Sequence, residues 1–205
     1  MQFFDYFQIF GILFFLLVFG GRTLYLRFWK NINTITLGVG KKGVRQIVEI
    51  LFFFGLVAWI IEVLMYALSV KFHLLHGFLE VILFDSIFAK GVGFLFIVLS
   101  FVLFVWALVS FGDSWRVGID TQKPGELVKS GAFAVSRNPI FVFLDLYFIG
   151  TFLLNGAVVF LLFAVLIVLG LHYQILQEEN YLKKQHSAAY ETYCAQTNRY
   201  LGSHR

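Results

Sequence analysis

The chain has 205 residues, of which 60% are hydrophobic, 20% aromatic and only 14% charged, with 27 Phe and a formal net charge of +4. A mean hydropathy of +0.82 excludes a water-soluble domain of this size, because the apolar runs are too long and too uniform for a soluble core. The one cysteine, Cys194, excludes an internal disulfide, and no HxxEH, CxxC or paired-Cys spacing offers a metal site. Nothing in the composition points to a nucleic acid or to an obligate protein partner.

Crossing ~30 Å of hydrocarbon takes about 20 helical residues, and the alternating segments of about ten that build a membrane β-barrel are absent. The sequence therefore predicts an all-α polytopic membrane protein with about five transmembrane helices. They run roughly over Tyr6–Gly21, Ile47–Val70, Val92–Phe111, Ile140–Leu154 and Ala157–Leu176. Asp5 precedes the first run where a signal peptide would carry basic residues, so that run reads as a retained span. Arg22, Arg27, Lys30, Lys41, Lys42 and Arg45 crowd the first loop. His73 and His76 follow the second span at i, i+3 without a nearby third ligand, and Glu62 within that span is expected to bond to a neighbouring helix. Phe78–Lys90, with Glu80 and Asp85, is expected to be an interfacial helix or an extension of the third span.

Arg116, Lys123, Lys129 and Arg137 crowd the loop after the third span. The positive-inside rule makes both basic loops cytoplasmic, with the N-terminus outside and the C-terminus inside. Asn155-Gly156 predicts a tight helical hairpin between the last two spans. From Glu178 onward the chain turns polar and helix-favouring, with Leu182, Tyr190 and Tyr193 spaced as an apolar stripe. A cytoplasmic helix folding back over the preceding loop is expected there, the alternative being a fifth helix that simply runs on into water.

Two polar segments flank the hairpin: LVKSGAFAVSRNPIF, Leu127 to Phe141, and QEENYLKKQHSAAYETYCAQTNR, Gln177 to Arg199. The first resembles the LVxxGxYxxxRHPxY signature of the isoprenylcysteine carboxyl methyltransferase family, membrane-embedded S-adenosylmethionine enzymes that include the phospholipid methyltransferases. The second resembles its partner EExxLxxxFGxxYxxYxxxxxR, with Glu178, Glu179, Leu182, Tyr190, Tyr193 and Arg199 in register. The resemblance covers roughly Ser110 to Arg199. It divides the chain into N-terminal spans, residues 1–110, and a methyltransferase-like portion, residues 111–205.

The resemblance implies an S-adenosylmethionine pocket on the cytoplasmic face, a hydrophobic slot for a lipophilic acceptor, and a multi-pass protein of a prokaryotic plasma membrane. Carried over by position, the cofactor contacts are Gly125, Glu126, Leu127, Val128, Phe133, Arg137, Asn138, Pro139, Ile140, Phe141 and Glu178. Arg137 can fork onto the cofactor's carboxylate, Glu178 can take its amine or a ribose hydroxyl, and the phenyl rings can pack on adenine or face the sulfonium. Gly131 would let the backbone approach closely.

Several positions depart from the family pattern. Phe133 and Phe141 replace tyrosines, Asn138 replaces a histidine, His186-Ser187 replaces Phe-Gly, and Gly125 stands where a histidine is common. Gln174 occupies the place of an Arg that would hold a substrate carboxylate, and a neutral amide cannot neutralise that charge in a low-dielectric slot. A carboxylate acceptor needs no general base, whereas a lipid amine must lose a proton, for which Asp145 and Glu179 are the candidates. Asp145, well inside the fourth span, has an alternative role as a partner of His172 or Gln174. Two other readings remain open: an NADPH-dependent sterol or isoprenoid reductase relative, and a non-catalytic lipid-binding membrane protein.

Overall fold

The computed structural model describes residues 2–32, 44–70, 74, 77–115 and 127–202. Those residues are all-α, with helices α1 (Phe3–Trp29), α2 (Val44–Ala67), α3 (Ile87–Phe111), α4 (Pro139–Asn155) and α5 (Val158–Gln196), plus three single-turn 3-10 helices. Four of the five are long and apolar enough to cross a membrane, and α4 is a shorter apolar helix of 17 residues. At 1.5 Å per residue α4 is about 25 Å long, less than the ~30 Å of a hydrocarbon core. Large apolar side chains such as Leu17 (73% exposed), Val109 (73%) and Leu166 (66%) face outward, as lipid-facing residues do.

α1 runs past Gly20-Gly21, where the span was expected to end, because Arg22 finds a partner without leaving the helix. Its guanidinium donates to the Gly112 carbonyl at the end of α3, 2.5 Å away, and Lys30 pairs with Asp113 at 3.0 Å. Both bonds tie the end of α1 to the end of α3, and they satisfy a carbonyl that the helix terminus leaves open. At the opposite end, Gln8 and Asn155 exchange amide hydrogen bonds, the shorter 2.6 Å, and pin α1 to the hairpin.

The expected hairpin is present. Gly156 sits in the left-handed region at φ 64° and closes α4 by donating to Phe152 O at 2.7 Å. The preceding segment divides: from Ile87 onward it extends α3, one of the two expectations, while its first part forms no interfacial helix. Gly77–Glu80 is a single 3-10 turn, and the chain then extends so that Leu83 N donates to Gly156 O and Val158 N to Val81 O. This short bridge satisfies backbone groups at the hairpin and at the start of α5, which is why no interfacial helix forms there. α3 follows, capped by Ser86.

α3 and α4 form the closest helix pair. A Cβ built on Gly93 would lie 2.6 Å from Gly150 O, and one on Gly150 2.7 Å from Ile97 Cγ1, so two small residues let the backbones meet. Beside this crossing, Phe104 stacks on Phe143 with centroids 4.3 Å apart, and Trp59 of α2 stacks on Phe148 at 4.3 Å. Tyr66 meets Phe160 edge-on, so the hairpin-end half of α2 is packed firmly on α4 and α5. The other half touches α5 where the Phe52 ring lies on Gly170, and between these contacts the bundle is hollow.

α5 runs on unbroken through Glu178 and Glu179, and the chain turns at Ser187, whose φ of 41° and ψ of −119° are non-helical, before the last turns fold back. The remaining turns fold Tyr190 and Tyr193 onto Phe133, with Leu127, Val128 and Leu182 around them.

Candidate functional site

The hollow between the helices is a cavity of about 510 Å³. One wall comes from the segment that leads into α4. Gly131 adopts φ 64° with its backbone pressed against Ser110, so its close approach is to the end of α3. Ala132 N donates to Ser110 Oγ at 3.0 Å, and Phe133 packs edge-on against Phe111 at 4.5 Å. Tyr193 donates its hydroxyl hydrogen to Phe133 O at 2.6 Å, fixing the 3-10 turn from the far side.

Ser136-Arg137-Asn138-Pro139 then starts α4. Pro139 occupies the first helical turn, where its missing N–H costs nothing. Asn138 stands at the N-cap position, yet its side chain makes no capping bond. The amide instead donates to Arg199 O at 3.0 Å and to Glu179 Oε1 at 3.5 Å, while Asn138 N donates to Ser136 Oγ at 3.0 Å. Arg137 N donates to Asn198 O and Gly202 N to Val135 O, so residues 198–202 lie as a strap across this segment.

Glu179 sits between two guanidinium groups. Its Oε1 lies 3.1 Å from Arg137 Nη2, and its Oε2 accepts from Arg199 Nη2 at 2.8 Å and Nε at 3.1 Å. Those hydrogen bonds hold the Arg199 guanidinium above its ordinary pKa, against the opposing cost of burial. The Arg137 side chain is only 12% exposed, and its Nε is buried without a hydrogen-bond partner. Buried donors are ordinarily satisfied, and Arg22 Nε and Trp59 Nε1 are buried without a partner in the same way.

Nine of the eleven cofactor candidates have described positions, and each of them lines this cavity: Leu127, Val128, Phe133, Arg137, Asn138, Pro139, Ile140, Phe141 and Glu178. Gly125 and Glu126 lie outside the described residues, as do His73 and His76. Gln174 also lines the cavity, one helical turn before Glu178 on the same face of α5. Asp145 and Glu179 are not among the lining residues. Asp145 Oδ1 is buried with no hydrogen-bond partner, and His172, its expected partner, instead bonds through Nδ1 to the Tyr200 hydroxyl at 2.6 Å. Glu62 is fully buried and accepts from Leu74 N just beyond its own helix, at 3.1 Å.

The sequence motifs miss the other half of the cavity. Phe15, Leu16 and Phe19 of α1 and Phe52, Phe53, Leu56, Val57 and Ile60 of α2 form an apolar compartment, and Trp115 also lines the cavity. The cavity is therefore polar at one end and hydrocarbon-like along the other, between helices that border lipid.

These features define a multi-pass helical membrane protein with a pocket suited to a polar ligand meeting an apolar one. Residues 88–189 match the family model described as phospholipid methyltransferase. Through that segment the chain belongs to the phospholipid methyltransferase family, the family shared with the isoprenylcysteine carboxyl methyltransferases, and so to the membrane methyltransferases. The match takes in α3, the α4–α5 hairpin and the polar stretch through Glu178 and Glu179, and stops just short of Tyr190. No curated protein and no solved structure gives a match.

Proposed function

We propose that this protein transfers a methyl group from S-adenosylmethionine to a lipophilic acceptor held in the apolar compartment. The observation that carries this reading is Arg137, a nearly buried cation lining the same cavity as Glu178. The pair presents one positive and one negative group, which fits a ligand end bearing a carboxylate and an amine. Phe133 and Phe141 supply aromatic surface beside it, and Asn138 and Gln174 supply neutral donors and acceptors. When bound, the cofactor supplies an electrophilic methyl group on a sulfonium. The protein's own work is then to align the acceptor in line with that methyl, to exclude water and to balance charge.

The acceptor we favour is a neutral nucleophile such as a lipid amine. With Arg137 committed to the cofactor's carboxylate, the described lining offers no second cation for an acceptor carboxylate, and Gln174 cannot provide one. An amine must lose a proton on methylation, and Asp145, which follows cavity-lining Leu144 on α4 but does not itself line the cavity, is the proposed acceptor through one bridging water. Calorimetry of the detergent-purified chain against S-adenosylmethionine, and separately NADPH, tests the assignment. Binding of the first alone is expected, and Arg137→Ala and Glu178→Ala should each cost about 2 kcal/mol or more of that affinity. Unchanged affinity in both variants would remove the cofactor assignment.

A further inference from the structure

The Arg137–Glu179–Arg199 cluster contains two cations and one anion, and its three members come from three places in the chain. Arg137 precedes α4, Glu179 lies within α5, and Arg199 lies in the strap beyond α5. Arg199 does not line the cavity, and its side chain is 36% exposed, whereas those of Arg137 and Glu179 are 12% and 13% exposed. Glu179 makes two contacts with Arg199, 2.8 and 3.1 Å to Oε2, against one of 3.1 Å from Arg137 Nη2 to Oε1. If Glu179 faced Arg137 alone, the pair would be neutral, and a ligand carboxylate would meet no net positive charge. Because Arg199 shares the same carboxylate, the cluster keeps one unit of positive charge beside the unpartnered Arg137 Nε.

We propose that Arg199 and Glu179 are positioning residues that tune the anion affinity of Arg137: Glu179 orients the guanidinium, and Arg199 draws off enough of its charge that Arg137 remains a carboxylate receptor. This rests on the cofactor reading above. It assigns Glu179 a role in holding Arg137 in place of a role in accepting a proton, since both its oxygens are engaged by guanidinium groups. It also gives the strap a function that acts through charge. Asn138 and Ser136 both donate to Arg199 O, at 3.0 and 3.5 Å, so the backbone that carries Arg199 is fixed to the segment that carries Arg137.

The role separates from simple scaffolding by its sign. Full-length protein in detergent is titrated with S-adenosylmethionine and with its decarboxylated analogue, which keeps the amine, sulfonium and adenosine. Arg199→Gln is expected to weaken binding of the cofactor by about tenfold, the scale of one unit charge about 6 Å away at an effective dielectric constant of about 40, and to change analogue binding by no more than about twofold. Arg199→Lys keeps the charge and should retain most of the affinity. The double variant Glu179→Gln/Arg199→Gln should recover affinity relative to Arg199→Gln alone, because Arg137 is no longer neutralised. Thermal unfolding of each variant checks that the fold is retained. Equal losses for both ligands, no loss in Arg199→Gln, or a double variant weaker than that single one would each overturn the charge-sharing role while leaving the cofactor assignment intact. Absence of cofactor binding by the unaltered protein would overturn the function, and this inference with it.

Discussion

Gln174 sits where α5 passes the junction between the polar and apolar parts of the cavity, four residues before Glu178 on the same helical face. On the proposed function its neutrality disfavours a carboxylate acceptor, because an unpaired carboxylate in a low-dielectric site loses more hydration than an amide can replace. A small prenylcysteine such as N-acetyl farnesylcysteine should therefore be a poor acceptor, and Gln174→Arg should raise its methylation by about tenfold, the effect of one charge-assisted contact. Incorporation of label from methyl-labelled cofactor measures this, and robust native activity that the substitution fails to raise would show that position 174 does not set acceptor charge. Gln174, Arg137 and Glu178 were legible because a motif register delivers residue types to known places. The sharing of Glu179 was not, since register says nothing about which of several nearby cations a carboxylate will choose once the chain has folded.

At the scale of elements, the spans and the hairpin were legible because lipid demands long apolar helices and Asn155-Gly156 offers a left-handed stop. The contribution of α1 and α2 to the cavity was hidden for the same reason. A helix apolar on every side carries no periodic mark of which face meets a ligand and which meets lipid. The turn in α5 was half legible. The family pattern places Phe-Gly just ahead of the first tail tyrosine, and this chain has His186-Ser187 there. Ser187 nonetheless takes a backbone conformation, φ 41° and ψ −119°, that glycine adopts without penalty and a side chain does not. The turn is enforced by the docking of Tyr190 and Tyr193 on Phe133, which outweighs the local strain. Ser187→Gly should accordingly stabilise the protein by about 1 kcal/mol, through relief of that strain less the added freedom of the unfolded chain. Thermal unfolding in detergent reads the shift. A fall in melting temperature would mean that Ser187 is held by something other than tertiary docking.

Across the whole molecule, charge is distributed unequally between the two ends of the bundle. Arg22, Arg27, Lys30, Lys129 and Arg137 gather at the end that carries the candidate site, while Asp5 and Asp85 lie at the hairpin end, with Lys90 paired to Asp85. Basic segments near span ends are retained in the cytoplasm, so this asymmetry predicts that the polar mouth of the cavity faces inward, as the proposed function requires. A cysteine-free background, Cys194→Ser, makes the orientation measurable. Asp85, whose side chain is 74% exposed at the hairpin end, and exposed Lys129 beside the site provide the two reporters. Asp85→Cys should be labelled by an impermeant maleimide in intact cells, whereas Lys129→Cys should react only after the membrane is opened. The same experiment bears on chemistry, because Arg137 and Glu178 reach a cytosolic ligand only if Lys129 faces the cytosol. Labelling of Lys129→Cys from outside would invert the topology and place the proposed methyl-transfer site on the side of the membrane that lacks its methyl donor.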